Sequence, residues 1–192
     1  MAGLPPDLER LLEDISSADL AGAALAARVT DEQFHWHPSG GTAWSIAECL
    51  DHLAVINLVY ASAIRQGMEH AVARGWSRRE PAKPGFFGGY FVRSLEPPVK
   101  RRFPAPSGVR PRRSRDRQQI LRDYHEAHDA VARLIVDCAD IDVNRATFQN
   151  PFVRLVRVKV STGLHVIPAH DRRHLWQAEQ VTRAPGFPKR SA

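Results

Sequence analysis

The segment STGLHVIPAHDRRHLWQAEQVT, residues 161–182, decides the fold. Its apolar, imidazole and amide side chains recur at intervals of three and four, which is the spacing of one face of an α-helix. That face consists of Ile167, His170, His174, Gln177 and Val181. The pattern predicts a helix that begins near Ser161 or Thr162 and ends before Pro185. Because proline removes a helical hydrogen bond, Pro168 either bends this helix or marks its true start.

Three earlier segments have the same helical periodicity. The first predicted helix covers Leu8–Val29, with Asp7 as its candidate N-cap. The second begins at Ser45, where the spacing Ser45-x-x-Glu48 is a capping box, and runs to about Arg74. The third opens near Ser114 and runs to about Ala139. Four amphipathic helices without a convincing sheet predict an all-α fold, a four-helix bundle.

The connections between these helices have weaker patterns. Residues 76–113 hold half of the chain's 14 prolines and no strong periodicity, which predicts a long irregular crossover between helices two and three. Residues 30–42 contain His37-Pro38 and Gly40-Gly41 and are expected to break regular structure. Residues 152–160, FVRLVRVKV, alternate only in places, so a short strand and a loop both stay open.

Length and composition narrow the class of protein. With 192 residues and 43% hydrophobic residues, the chain can form one domain, 1–192, around a genuine core. Only two cysteines are present, which excludes a disulfide scaffold and a cysteine zinc finger. No stretch approaches the roughly 18 uncharged apolar residues of a membrane span, and the N-terminus lacks a signal-peptide pattern. We therefore expect a cytoplasmic protein without membrane contact.

The net charge of +6 comes from one segment. Ten Lys or Arg residues lie between Arg93 and Arg122, against only Glu96 and Asp116, and the rest of the chain is slightly acidic. Such a run could contact phosphates. Its one aromatic residue is Phe103, and it belongs to no recognised nucleic-acid module, so we expect a solvated loop and no nucleic-acid partner.

His170 and His174 are the strongest chemical signal in the chain. Residues four apart on a helix project from one face, and here that face should be buried. Burying an unpartnered imidazole is costly, whereas neutral imidazole is a good ligand for zinc, nickel or iron. A ligand pair and a hydrogen-bonded histidine pair both stay open. Asp171 stands where a zincin protease needs Glu, which argues against that class.

His52 is a candidate third ligand on the second helix. It flanks the buried stripe of that helix, beside Cys49 and Leu53, although a helix-surface histidine is the alternative. Three protein nitrogens would leave one coordination position open for water, as in catalytic metal sites. Glu48, one turn before His52, is the nearest candidate for a catalytic general base.

Several neighbouring residues are candidates for supporting roles. Gln177 could orient a bound water or a ligand imidazole, or form an interhelical hydrogen bond. His128 on the third helix is a candidate pocket residue, although a core histidine with satisfied hydrogen bonds is the simpler interpretation. Asp171 and Arg173 are expected to form pairs across helices. Trp44 and Trp176 are expected to anchor the core.

Two stretches carry a family resemblance. WSIAECLDHL at 44–53 and VIPAHDRRHLWQ at 166–177 resemble the DinB/YfiT-like superfamily of metal-dependent bundle proteins, and the helix order is similar over nearly the whole chain. The resemblance implies a four-helix bundle with a long crossover between helices two and three, often as a homodimer. It also implies a divalent metal ion, nickel or zinc, held by one histidine of helix two and two of helix four. Those residues are His52, His170 and His174.

The resemblance also implies a class of function. Members of this superfamily include thiol-dependent transferases and isomerases, and others are thought to be hydrolases. The expected activity is therefore a metal-dependent hydrolysis or a thiol-dependent transfer on a small-molecule substrate. In the second case a low-molecular-weight thiol would be a further cofactor. The alternative is a non-catalytic stress-response or binding module whose metal ion is structural or vestigial.

Overall fold

Helices make up most of the computed structural model, which describes residues 3–99, 105–112, 115–153 and 155–189. The helices are α1 (Pro6–Ala27), α2 (Asp31–His35), α3 (Ile46–Ala73), α4 (Phe86–Leu95), α5 (Arg117–Asp137) and α6 (Val160–Thr182). Two short antiparallel strands, β1 (Thr147–Gln149) and β2 (Arg157–Lys159), pair Phe148 with Val158. Within the described residues the only sheet has these two strands, so the expected helical class is confirmed.

The four long helices enclose a common core. Helices α1 and α3 each pack against both α5 and α6. Among the largest fully buried side chains are Tyr124, Phe34, Phe148, Leu8, Leu50, Leu53 and Leu134. By length and composition alone α3 could cross a membrane, but 67% of its most apolar window is buried within the protein. It is the central helix of this packing, and it contributes one side of the site described below.

Local sequence sets where the helices begin. The Ser45 hydroxyl accepts the Glu48 N–H and the Glu48 carboxylate accepts the Ser45 N–H, both at 3.1 Å, so the predicted capping box is confirmed. Pro5 precedes α1 without a side-chain cap, so the expected cap by Asp7 is wrong. Asp116 caps α5, whereas the expected start at Ser114 lies outside the described residues.

Helix α6 begins at Val160, one residue before the predicted start. It continues through Pro168, which therefore does not mark its start. Residues 157–159 form β2, so the ambiguous stretch 152–160 contributes a short strand and the first residue of α6.

Two short helices were missed. The expected break at residues 30–42 contains α2, where Thr30 and Gln33 form a second capping box. The crossover expected to be irregular contains α4. A Cβ atom added to Gly88 would lie 2.5 Å from the Thr162 hydroxyl oxygen, so the bare glycine lets α4 approach α6 closely. Beside Gly88 the inner face of α4 has only Val92 and Leu95, and its outer face is aromatic, so no one-sided apolar pattern marks this helix in the sequence.

Candidate metal centre

Three imidazoles from two packed helices converge in the interior. His52 lies on α3, whereas His170 and His174 lie one turn apart on α6. Their candidate ligand nitrogens all lie within 4.8 Å of one another. The ring centroids of His170 and His174 are 4.5 Å apart, and the His52 centroid lies 5.2 Å from that of His170 and 4.6 Å from that of His174. The structure therefore brings together the three residues that the sequence analysis singled out.

The burial of His52 decides between its two interpretations. The residue is only 2% exposed and is not a helix-surface histidine. Its Nδ1–H donates to the Val109 carbonyl oxygen over 2.6 Å. In the neutral ring this bond leaves the lone pair on Nε2, the nitrogen that is then free to bind a metal ion.

The two histidines of α6 have unsatisfied buried nitrogens. Nδ1 of His170 and Nδ1 of His174 are both buried without a hydrogen-bond partner among the described residues. A buried imidazole nitrogen without a hydrogen bond lowers the stability of the fold, and a coordinated cation would satisfy it. The donor set therefore fits a divalent ion of the zinc or nickel kind.

The electrostatic environment keeps these rings neutral. Burial lowers the pKa of His52, although the bond to Val109 and the charge of Asp51 oppose this effect. Burial and the nearby His52 lower the pKa of His170 to about 3. Burial and the His170 charge hold the pKa of His174 well below its ordinary value. Neutral imidazole is the form that binds metal ions.

Trp44 forms a wall of the three-histidine cluster. Its ring stacks on His174 with centroids 5.5 Å apart and planes 26° apart, and it lies 4.9 Å from the His52 ring. The sequence around Trp44 predicts only a core anchor. Trp176, for which the same was expected, is half-buried on α6.

A short part of the crossover reaches this centre. We define residues 105–112 as the strap. Val109, in the middle of the strap, is buried and supplies the carbonyl group that binds His52. The Arg112 backbone N–H donates to Asp51 over 2.6 Å, and its guanidinium donates to the same carboxylate over 2.6 Å. Two successive residues of α3, Asp51 and His52, therefore hold the strap.

The strap also corrects the interpretation of the basic segment. Asp51 is fully buried, and Arg115 lies 3.2 Å from it. Both Arg112 and Arg115 also pair with Asp123, and Arg117 pairs with Asp31. The prediction of a solvated loop is therefore wrong for these three arginines, because each is bound to a carboxylate of the same chain.

Behind the cluster, Asp171 ties α6 to its neighbours. Asp171 is fully buried, accepts a hydrogen bond of 3.0 Å from Asn57 on α3, and lies 3.5 Å from Nε2 of His128 on α5. Burial lowers the pKa of His128, but the Asp171 carboxylate outweighs it and the pKa is raised. His128 Nδ1–H also donates to the Tyr124 carbonyl over 2.7 Å, which makes His128 a core histidine. The expected interhelical pairing of Asp171 is present.

Gln177 and Glu48 occupy different positions around the centre. The side chain of Gln177 interacts with His174 and raises its pKa against the larger effect of burial. The Glu48 carboxylate caps α3 and lies 3.3 Å from the His37 ring. It is not part of the three-histidine group. The use of Glu48 as a general base stays a prediction.

A cavity of about 370 Å³ lies at the N-terminal end of α3. Its charged and imidazole lining comes from Glu48, Arg112, Arg115, His35 and His37. The three clustered histidines are not among its lining residues, but it shares Glu48 with the turn before His52 and Arg112 with the strap. The cavity and the cluster are therefore neighbours built on the same two segments.

Comparison with curated proteins and with solved structures finds no match for this chain. A family model does match, over residues 21–178, and this range includes all three histidines of the cluster and the strap. Because the match spans most of the chain, the protein belongs to the DinB superfamily.

Proposed function

We propose that the protein binds one divalent ion, nickel or zinc, through His52, His170 and His174. On this proposal it is a metal-dependent hydrolase or thiol-dependent transferase that acts on a small-molecule substrate. The observation that carries the proposal is the set of three converging, neutral imidazoles, two of which have unsatisfied buried nitrogens. Membership of the DinB superfamily supports it.

The chain's own residues would prepare this site for chemistry. When bound, a divalent ion with three protein ligands supplies Lewis-acid chemistry, which lowers the pKa of a water or thiol at its open position. The Val109 carbonyl holds His52 in the tautomer with a free Nε2. Trp44 covers His174 and His52 and limits the access of bulk water. Gln177, whose side chain raises the pKa of His174 against the effect of burial, would help to orient that ring.

We also propose the finer features of the fold and assembly. Helices α1, α3, α5 and α6 would form the four-helix bundle, with the segment between α3 and α5 as its long crossover. Their mutual packing supports this arrangement. A homodimer in the cytoplasm follows from the family resemblance and from composition, and light scattering of the purified protein tests the dimer.

A non-catalytic module with a structural metal ion is the second candidate. One observation favours it: the Glu48 carboxylate is already bound by the Ser45 N–H and lies beside His37, so the nearest candidate base has other partners. The two candidates share the metal site and differ in turnover. A panel of ester and thiol-transfer substrates, assayed with and without low-molecular-weight thiols, separates them.

Metal analysis of protein purified without an affinity tag tests the site. We expect about one equivalent of nickel or zinc in the native protein and almost none in His174→Ala, because two nitrogens hold a divalent ion poorly. His125→Ala is the matched control, since His125 is an exposed histidine on α5 that pairs with Asp19. Full metal occupancy in His174→Ala would refute the proposed ligand set.

A further inference from the structure

Helix α4 presents aromatic side chains to solvent. Phe86, Phe87 and Tyr90 are 83%, 85% and 70% exposed, and Phe91 is 46% exposed. We call these four residues the aromatic face. Each ring offers on the order of 150–250 Å² of surface, whereas soluble monomers rarely expose an apolar patch larger than a few hundred Å². Such a face indicates a binding surface.

The opposite side of α4 is fixed to the protein. Gly88 packs against Thr162, and Leu95 is buried. Just after the helix, Glu96 forms an ion pair of 2.7 Å with Arg172 of α6. Because α4 is held at both ends along α6, its aromatic side chains are directed outward by packing.

Cationic side chains surround the aromatic face. Lys83 precedes α4, Arg93 lies on it, and the Lys159 ammonium group lies 3.9 Å from the position of a Cβ atom on Gly85. All three residues are exposed, and within the part of the chain that the structure describes none forms an ion pair with a carboxylate. The surface therefore combines an apolar centre with a positive rim.

A second exposed apolar group precedes Lys159 in the chain. In the loop between β1 and β2, Leu155 is 97% exposed, Val153 51% and Val156 43%. Leu155 is four residues before Lys159, so these two Cα atoms are at most about 14 Å apart. The loop therefore holds further exposed apolar side chains within a few residues of Lys159, whose ammonium group lies beside the start of α4.

We propose that the aromatic face docks on the surface of an anionic lipid bilayer. Aromatic rings would enter the boundary between headgroups and acyl chains, while Lys83, Arg93 and Lys159 would contact anionic headgroups. A second copy of the chain is a poorer occupant, because a two-fold contact would place the cationic rims of the two copies against each other. Composition predicted no membrane contact because no segment spans a bilayer, but surface docking needs no spanning segment.

Vesicle sedimentation with the full chain tests the apolar part. We expect binding to vesicles of phosphatidylcholine with about 30% phosphatidylglycerol and little binding to phosphatidylcholine alone. The double variant Phe86→Ser, Phe87→Ser should bind roughly tenfold more weakly or worse, and its circular dichroism should be unchanged because both side chains are exposed. The control Leu20→Ser, at a residue of α1 that is 67% exposed, should bind like the native chain.

A second pair of substitutions tests the contribution of the cationic residues. Lys83→Ala combined with Arg93→Ala should weaken binding to the anionic vesicles and reduce its dependence on salt. His174→Ala should bind vesicles normally, so failure of the metal site would not affect this result. Absence of vesicle binding, or equal binding by the double phenylalanine variant, overturns the proposal. A dimer that the phenylalanine variant dissociates, without vesicle binding, would assign the face to a second copy.

Discussion

Two parts of the crossover between α3 and α5, the strap and α4, differ in which of their side chains are buried. The strap, residues 105–112, lies in the basic segment, yet its Arg112 binds a buried carboxylate and its Val109 is in the core. Helix α4 is rich in aromatic residues, yet its rings face solvent. Both come from one proline-rich stretch without periodicity. The type of side chain alone therefore did not predict which half is buried; the partners offered by α3 and α6 decide it.

The largest effect is expected from the anchor of the strap. Asp51→Ala removes a fully buried carboxylate that binds the Arg112 backbone, the Arg112 guanidinium and Arg115. Because a broken buried pair leaves its partners unsatisfied, we expect a loss of about 3 kcal/mol in the free energy of unfolding, measured in urea.

Asp123→Ala is the matched control for this substitution. Asp123 binds the same two arginines, but its side chain is 31% exposed. Its removal should cost about 1 kcal/mol or less. Equal losses for the two variants would show that the strap is held from the surface and not by the buried carboxylate.

A smaller effect should follow from pushing α4 off α6. Gly88→Ala would place a Cβ atom 2.5 Å from the Thr162 hydroxyl oxygen, so one of the two elements must move. We expect a loss of about 2 kcal/mol in unfolding free energy and faster amide exchange over Phe86–Leu95. The neighbouring Gly89→Ala has its nearest contact at 3.4 Å and should be neutral or slightly stabilising. Identical exchange in the two variants would contradict the close packing.

The strap should also tune the affinity for metal. Arg112→Ala loosens the segment that carries the Val109 carbonyl, and His52 loses part of its orientation. We expect the affinity for zinc or nickel, measured by competition with a chromogenic chelator, to fall about tenfold while all three ligands remain. Arg110→Ala is the control, because among the described residues the Arg110 side chain bonds only within the strap, to the Ala105 carbonyl. Equal affinity in both variants would limit the strap to a structural role.

The parts of this molecule that were predictable are those with local signals. The periodicity of α1, α3, α5 and α6 and the four-residue spacing of His170 and His174 lie within single helices, where geometry is fixed by sequence separation. The capping box at Ser45 is equally local.

The remaining parts depend on contacts between distant residues. Val109 meets His52 across 57 residues, and no spacing rule connects them. Trp44 lies next to a helix cap, where packing on the core is the default expectation. It lines the cluster because α6, which is distant in sequence, places His174 against its ring. The outward aromatic face of α4 inverts the usual pattern of hydrophobic residues and follows from the fit of Gly88 on α6.

The smallest effect concerns the start of the crossover and depends on pH. Asp7 on α1 accepts hydrogen bonds from Arg78 over 2.6 Å and from the Ala82 N–H over 2.7 Å. Burial raises the pKa of Asp7, but these bonds outweigh it and the pKa lies below its ordinary value of 3.8. A carboxyl group whose pKa is lowered by folding stabilises the fold above its unfolded pKa, and this contribution is lost as the pH falls through the lowered value.

Asp7→Asn should therefore reduce the free energy of unfolding by about 1 kcal/mol at neutral pH. The difference from the native chain should stay constant down to about pH 5 and shrink below about pH 4, as the native Asp7 itself becomes protonated. Urea titrations at several pH values measure it. A difference that grows on acidification would mean that protonated Asp7 is the stabilising form. The start of the crossover would then be held by a neutral hydrogen bond, unlike the charged contacts of the strap at its other end.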